Sequence, residues 1–177
     1  ALVDRRAALL QCVRLRPPAV VGQRGQQWVK ADEAQARVDE IAPQIFRIAV
    51  WTGQIPITFN QFVIRDEFPT LIHTGQVALF DTVRAQVERL LDPRTLRYIS
   101  FSHFEADECG ALNHWLALAP QAEVFWGAIA AMTSVTDFAL RPPQVVADQG
   151  VVELGAHRLQ VLETPHFPHN WDAILLY

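Results

Sequence analysis

The segment Ser102-His103-Phe104-Glu105-Ala106-Asp107-Glu108-Cys109-Gly110 brings one imidazole and three carboxylates together within nine residues. It directly follows a short apolar run at residues 96–101, which predicts a buried strand, and helical sequence resumes at Ala111. Three carboxylates held together behind a buried strand repel one another, and bound cations relieve that repulsion. We therefore interpret this loop as a metal site; the alternative interpretation is a solvated acidic loop.

The composition indicates a globular protein of one domain. The chain has 177 residues, of which 50% are hydrophobic and 19% charged, enough for a substantial core. The net charge of -4 and the lack of a basic arm argue against a nucleic-acid partner. No apolar run approaches the roughly 20 residues of a membrane span, so no membrane partner is expected. Two cysteines, Cys12 and Cys109, do not make a disulfide framework, which favours a reducing, cytoplasmic location.

Residues 1–43 are interpreted as an N-terminal leader with a helical segment that precedes the main domain. Good helix formers run over residues 31–41, with acidic residues near the start where they suit the helix dipole. The sequence therefore predicts a helix there, which Pro43 ends. From Gln44 the pattern becomes that of β-strands, and residues 44–177 are assigned to one domain.

Within residues 44–177 the hydrophobic pattern predicts alternating strands and helices. Strands are predicted at residues 45–51, 59–65, 68–73, 96–101, 122–126, 145–146, 151–154, 159–163 and 173–177. Helices are predicted at residues 77–91, 111–119 and 128–138. The runs at residues 62–64 and 71–72 are apolar on both faces, so we expect a sheet covered by helices, in an α/β layered fold.

The pattern His103-x-Glu105-x-Asp107, followed at once by Glu108, resembles the diiron version of the metallo-β-lactamase fold. That version is found in flavodiiron proteins and in related oxygen-binding diiron proteins. Zinc hydrolases of the fold usually have His where this sequence has Glu105, and the diiron family usually has His where it has Glu108. The resemblance covers about residues 44–177, and it implies an αββα sandwich of which this chain holds about the first half.

The resemblance also implies a set of metal ligands. His103 and Glu105 correspond to ligands of a first iron, and Asp107 and Glu108 to ligands of a second. Carboxylates and imidazoles suit iron, since hard oxygen donors tolerate the ferric state. The carboxylate of Glu108, in place of an imidazole, lowers the reduction potential if it binds and leaves the second metal weakly held if it turns away.

A second cluster of polar residues lies near the end of the chain. In the diiron family a His stands three residues before an Asp at this place, and His169 and Asp172 have that spacing. The resemblance therefore makes His169 the fourth ligand, on the first iron, with His166 as the alternative. His73 and Asn60 are interpreted as bracing residues behind the ligands, and a histidine bonded within the core is the other interpretation of His73.

By resemblance, the chain is a non-haem diiron protein whose two iron ions are joined by an oxo or hydroxo bridge. Such a protein binds, senses or reduces dioxygen, or nitric oxide. A flavodiiron-like oxidoreductase of this kind implies an electron-donor protein and a homodimer. No flavodoxin-like segment is visible, so FMN is not expected to bind to this chain. The sequence stops before the family's bridging Asp and its last His, which implies a fragment or completion by another chain.

Two other functions stay open. The first is a metallo-β-lactamase-fold hydrolase that uses a metal-bound hydroxide on an ester, thioester or lactam, although Glu105 argues against it. The second is a metal-poor, non-catalytic module that serves as a binding or sensor surface, which the departure at Glu108 keeps open. Iron content separates the diiron protein from both alternatives. Zinc with esterase activity supports the hydrolase, and the lack of stoichiometric metal supports the module.

Overall fold

A computed structural model of the chain describes residues 34–53, 55–167 and 169–177, and two β-sheets carry the fold within them. The strands of the larger sheet, in spatial as well as chain order, are β1 (Gln35–Ala42), β2 (Ile45–Trp51), β3 (Thr58–Ile64), β4 (Thr70–Ile72), β5 (Tyr98–Ser100), β6 (Glu123–Trp126) and β7 (Gln144–Val145). The smaller sheet, in the order β10-β9-β8, contains β8 (Val151–Glu153), β9 (Arg158–Glu163) and β10 (Ile174–Leu176). No helix in the described ranges is long and apolar enough to cross a membrane.

The larger sheet is antiparallel in its first half and parallel in its second. Strands β1 to β4 pair as antiparallel neighbours, whereas β4 to β7 pair in parallel. Parallel neighbours need a crossover connection, and helices provide it here. The helices are α1 (Phe80–Glu88), α2 (Ala106–Cys109), α3 (Leu112–Leu118), α4 (Ala128–Ala130) and α5 (Thr136–Phe138), with 3₁₀ turns at Val77–Leu79 and Pro93–Thr95 and a π turn at Ala131–Val135.

The core lies between the larger sheet and its helices and extends to the smaller sheet, which contributes Val161 and Ile174. Strand β2 alternates between buried and half-buried positions, as its sequence predicts, and the apolar run at residues 62–64 of β3 is buried throughout. Helix α1 contributes Val83 and Val87 to this core, and α3 contributes Trp115, all fully buried. Burial of this apolar surface is the main favourable term that holds the helices on the sheet.

The predicted helix at residues 31–41 is wrong over its described part, because residues 35–42 form strand β1. β1 pairs antiparallel with β2 along its length, and Arg47 of β2 lies 2.8 Å from the Asp39 carboxylate of β1. Pairing with a neighbouring strand overrides a weak helix propensity, and it makes β1 part of the larger sheet. The rest of the predicted leader, residues 1–33, lies outside the described residues.

The other predicted elements agree with the structure to within a few residues, with two differences in the helices. The acidic loop contains a helical turn, α2, which the sequence analysis did not predict. The predicted helix at residues 128–138 is interrupted by a π turn. β-Branched residues disfavour a regular helix there, and the Thr136 hydroxyl donates to the Ala131 carbonyl at 2.5 Å.

The two sheets meet near the carboxyl end of β5. The Ile174 N–H of β10 donates to the carbonyl of Ser102, two residues after β5, at 2.8 Å. The His73 N–H, directly after β4, donates to the Ser100 carbonyl of β5, also at 2.8 Å. The loop after β4, the loop after β5 and the segment before β10 therefore converge at one edge of the molecule.

Candidate metal centre

Three side chains from two distant segments converge at this edge. His103 and Glu105 follow β5, and His169 precedes β10; one donor atom from each lies within 4.8 Å of the others. Glu105 Oε2 lies 3.2 Å from His103 Nε2, and Glu105 Oε1 lies 3.0 Å from His169 Nε2. The two imidazole rings are 4.5 Å apart between centroids. One carboxylate therefore faces the Nε2 atoms of both histidines.

Local backbone structure explains how Glu105 reaches this position. Its backbone is extended, with φ −132° and ψ 153°, because it lies directly before the first residue of α2. Its carbonyl accepts from the N–H groups of Glu108 and Cys109 at 3.0 and 2.8 Å. The Glu105 side chain thus leaves the chain before the helical turn begins and stays beside His103.

The cluster is buried on one side and open on the other. His103 is only 5% exposed, whereas the side chains of Glu105 and His169 are 40% and 55% exposed. Between β9 and β10, the Thr164 N–H donates to the Ala173 carbonyl at 2.9 Å and so closes the loop that carries His169. A ligand held by the three side chains would therefore keep access to solvent on the His169 side.

The electrostatic environment favours a cation. Burial by itself raises the pKa of Glu105, but hydrogen bonds and charges from His169 and His103 outweigh it and lower the pKa below its usual value. Burial raises the pKa of Asp107, and the nearby charges of Glu108 and Glu105 raise it further. Several carboxylates therefore crowd one small region, and a bound cation would relieve their repulsion.

Glu108 lies on the side of His103 opposite Glu105. Its Oε2 atom is 3.4 Å from His103 Nδ1, which is the ring nitrogen opposite the one that faces Glu105. The same oxygen accepts from the Ser102 N–H at 3.1 Å, makes a very short hydrogen bond to the Ser102 hydroxyl, and lies 3.1 Å from His73 Nε2. The structure thus brings Glu108 together with Ser102 and His73 rather than with Glu105 and His169.

The other residues singled out from the sequence occupy different places. Asp107 is half-buried near the cluster but is not part of the group of three. His73 is buried between the Asn60 carbonyl oxygen, 3.1 Å from its Nδ1 atom, and Glu108, 3.1 Å from its Nε2 atom, whereas the Asn60 side chain donates to the Thr58 carbonyl. His166 is exposed and lies outside the group of three.

Sequence reasoning assigned no role to Ser102, although the structure makes it the link between Glu108 and His103. The Ser102 hydroxyl lies 2.8 Å from His103 Nδ1 and bonds to the Glu108 carboxylate. Its position directly before His103 was the available signal, since a residue next to a buried ligand lies within reach of the ring. A lone serine is too common for that signal to have identified it.

The donor set fits one metal ion. Two imidazoles and one carboxylate with an open side are the protein ligands of many non-haem iron(II) sites, and the same set also binds zinc. In the part of the chain that the structure describes, no second group of three such side chains occurs. Of the two carboxylates predicted to hold a second ion, Glu108 is bonded to Ser102, whereas no bond to Ser102 engages Asp107.

Comparison with known proteins gives a family match over most of the chain. The family model described as ODP family beta lactamase matches residues 57–177. A putative diflavin flavoprotein A 2 from Synechocystis sp. is 36% identical over 124 residues, which are 68% of this chain and 21% of the relative. The matched family region therefore includes every residue of the cluster.

Solved structures share the fold. Rubredoxin oxygen:oxidoreductase from Desulfovibrio gigas has a TM-score of 0.69 and 20% identity, over 80% of this chain and 38% of that one. The flavodiiron protein from Giardia intestinalis has a TM-score of 0.71 and 16% identity, over 80% and 37%. These likenesses confirm the expected α/β fold. The chain spans between 21% and 38% of the length of these relatives.

Proposed function

We propose that this chain is the iron-binding part of a flavodiiron-like protein. The chain belongs to the ODP family of beta-lactamase-fold domains, and so to the metallo-β-lactamase-fold diiron proteins. In this proposal the protein binds, senses or reduces dioxygen, or nitric oxide. The observation that carries the proposal is the convergence of His103, Glu105 and His169 within 4.8 Å. Two histidines and one carboxylate with open positions are typical of iron(II) sites that handle dioxygen.

Each of the three side chains has its own part in holding the first ion. His103 is buried and fixed, so it sets the position of the ion. Glu105 supplies negative charge between the two rings, and a cation would take the place of its contacts with them. His169 is the most exposed of the three and closes the site from the second sheet. A bound iron ion would supply the redox chemistry and the open positions for a diatomic molecule.

The loop between His103 and Glu105 is anchored by Phe104. Its ring stacks near Trp126 with centroids 6.5 Å apart and packs edge-on against Phe138 at 5.4 Å. Phe104 thus points into apolar surroundings while its two neighbours point to the cluster. This anchoring keeps two ligands in place without the help of a metal.

The remaining parts of the proposal concern groups beyond the cluster. A second iron would use Asp107 together with groups outside the described residues. The names of the relatives refer to flavin, to rubredoxin and to oxygen, and we propose the same class of reaction here. FMN would then bind outside this chain, an electron-donor protein would reduce the iron, and the assembly would be a homodimer.

Metal analysis of the purified protein tests the proposal. After anaerobic reconstitution with iron(II), elemental analysis and Mössbauer spectroscopy should show stoichiometric non-haem iron, and dioxygen or nitric oxide should change its spectrum. The same titration in His169→Ala should show the loss of that iron. A protein that binds no stoichiometric metal would contradict the proposal and support the non-catalytic module.

The hydrolase is the second candidate, because two histidines and one glutamate also form zinc sites. The same protein loaded with zinc(II) should be assayed against ester, thioester and lactam substrates. Turnover that depends on zinc and disappears in Glu105→Gln would favour the hydrolase over the iron protein.

A further inference from the structure

The side of His103 that faces away from Glu105 and His169 carries a buried chain of hydrogen bonds. His103 Nδ1 lies 2.8 Å from Ser102 Oγ, and the Ser102 hydroxyl bonds to Glu108 Oε2. The same Glu108 oxygen accepts from the Ser102 backbone N–H at 3.1 Å. Ser102 is 4% exposed and the Glu108 side chain 14% exposed, so these hydrogen bonds are shielded from solvent.

The proton positions in this series of hydrogen bonds follow from which groups can donate a proton and which can only accept one. A carboxylate only accepts, so the Ser102 hydroxyl donates its proton to Glu108. The Ser102 oxygen is then the acceptor for His103 Nδ1, which therefore carries the ring proton. An imidazole with its proton on Nδ1 can give its Nε2 lone pair to a cation. Nε2 is the atom that contacts Glu105, and a cation bound there would take the place of the hydrogen bond between them. The hydrogen bonds from His103 through Ser102 to Glu108 thus fix the tautomer in which His103 binds a metal through Nε2.

Residues directly after β4 hold Glu108 in this position. His73 Nε2 lies 3.1 Å from Glu108 Oε2, and Thr74 donates to the Glu108 carbonyl with its N–H at 2.6 Å and its hydroxyl at 3.0 Å. His73 has φ 63°, a left-handed conformation that a non-glycine residue keeps only when its surroundings hold it there. If the Glu108 carboxylate moved away, the Ser102 N–H would lose its buried acceptor, which is unfavourable.

We infer that Glu108 is a positioning residue, which through Ser102 fixes the tautomer and ring orientation of His103, and that it is not a ligand of a second ion. The inference rests on the proposed function, since it requires that His103 binds a metal. A metal-binding histidine commonly donates its other ring N–H to a carboxylate or another acceptor, and removal of such partners weakens metal affinity by about 10–100-fold.

The test compares variants of the purified protein in anaerobic titrations with iron(II) and, separately, with zinc(II). Glu108→Ala removes the carboxylate, Glu108→Gln keeps an oxygen that accepts from Ser102, and Ser102→Ala removes the link alone. Glu153→Gln, at an exposed position of β8, is the matched control. Competition with a chromophoric chelator gives the dissociation constants, elemental analysis gives the ions bound per chain, and circular dichroism confirms folding.

A positioning role predicts that Glu108→Ala and Ser102→Ala weaken binding about 10–100-fold without changing the number of ions per chain. Glu108→Gln should weaken binding less, and the combined Glu108→Ala and Ser102→Ala variant should add little to either change. If both Glu108 variants lose one ion per chain while Ser102→Ala loses none, Glu108 is a ligand and the inference is overturned. Unchanged affinity in all three variants also overturns it.

The proposal of an iron site and the positioning role of Glu108 can be rejected independently of each other. A wild-type protein that binds zinc(II) but not iron(II) rejects the iron proposal alone, and the zinc constants of the variants then decide the role of Glu108. Binding of neither ion rejects both. If Glu108→Ala does not fold, the other two variants still decide. A positioning residue weakens binding in Ser102→Ala at an unchanged number of ions, whereas a ligand loses an ion in Glu108→Gln and none in Ser102→Ala.

Discussion

Glu105 is the side chain on which the candidate centre depends most. Its two oxygens face two histidines that lie on different segments, at 3.2 Å and 3.0 Å. Burial raises its pKa, but His169 and His103 lower it by more, so it is ionised at neutral pH and contributes negative charge between the two imidazoles. Without this carboxylate the two imidazoles would have no anionic partner in the cluster.

Glu105→Gln should therefore remove most of the metal affinity, by roughly tenfold or more, while the fold is retained. The side chain is 40% exposed, so its loss from the metal-free protein should cost little stability. Isothermal titration with iron(II) and thermal melting of the metal-free protein measure the two effects, with Glu153→Gln as control. Equal iron(II) affinity in wild type and Glu105→Gln would remove this residue from the site.

Cys109 is expected to be inert despite its position after the acidic residues. It is 3% exposed, and burial, together with the nearby charges of Glu108, Asp107 and Asp172, raises its pKa to about 12. The thiolate is the reactive form, so it is scarce at pH 8. In a Cys12→Ser background, a thiol-specific chromogenic reagent should label Cys109 only after denaturation. Rapid labelling of the native protein would contradict this assignment.

At the level of elements, Asp66 in the turn between β3 and β4 makes hydrogen bonds to the turn between β8 and β9. The Asp66 carboxylate accepts from the N–H groups of Ala156 and His157 at 3.0 and 2.7 Å and lies 2.6 Å from His157 Nδ1. Gly155 has φ 120°, and a Cβ there would lie 2.4 Å from Asp66 Oδ1. This contact joins the larger sheet to the smaller one, and only glycine permits the close approach.

Asp66→Asn should lower the free energy of unfolding by about 1–3 kcal/mol at pH 7, because it weakens several hydrogen bonds to a charged acceptor. Burial raises the pKa of Asp66, but the N–H donors of Ala156, Glu67 and His157 outweigh it and hold the pKa well below its usual range. The stabilisation is therefore present above the unfolded pKa of about 3.9 and is lost as the pH falls below it.

Urea unfolding at several pH values, with chelator present, measures this effect. The difference between wild type and Asp66→Asn should be largest near neutral pH and should shrink in acid. Asp137→Asn, at an exposed position of α5, is the matched control and should change little. A difference that does not depend on pH would show that the Asp66 charge is not involved.

Local patterns predicted most elements, and long-range contacts account for the errors. Strand β2 has the bounds expected from its alternation, since half-buried strands carry that signal in their own sequence. Strand β1 was predicted as a helix because its partner β2 decides its structure. The direction of the Glu108 side chain could not be predicted from local sequence either. It depends on the turn of α2 and on His73 and Ser102, which the sequence cannot place together.

For the whole molecule, the candidate centre exists only when the two sheets are assembled. His103 follows β5 of the larger sheet and His169 precedes β10 of the smaller one, and the Ile174 N–H joins the two sheets through the Ser102 carbonyl at 2.8 Å. A metal ion held by both histidines would bind the folded state and not the unfolded one. Its binding should therefore stabilise the assembled molecule by linkage.

Saturating iron(II), at 100 times the dissociation constant, should raise the free energy of unfolding by about 2.7 kcal/mol. Thermal melting under anaerobic conditions measures the shift, with magnesium as an ion that the histidine-rich set disfavours. His169→Ala should melt like the wild type without metal, because its side chain is largely exposed, but should show little shift with iron(II). An equal shift in both proteins would place the metal elsewhere.

Anomalous diffraction at the iron edge, from crystals of the iron-loaded protein, would locate the bound ion. We expect an iron peak bounded by His103 Nε2, the Glu105 carboxylate and His169, with the Glu108 carboxylate still bonded to Ser102. An iron-loaded crystal with no peak among these three side chains, or with a peak coordinated by Glu108, would contradict it.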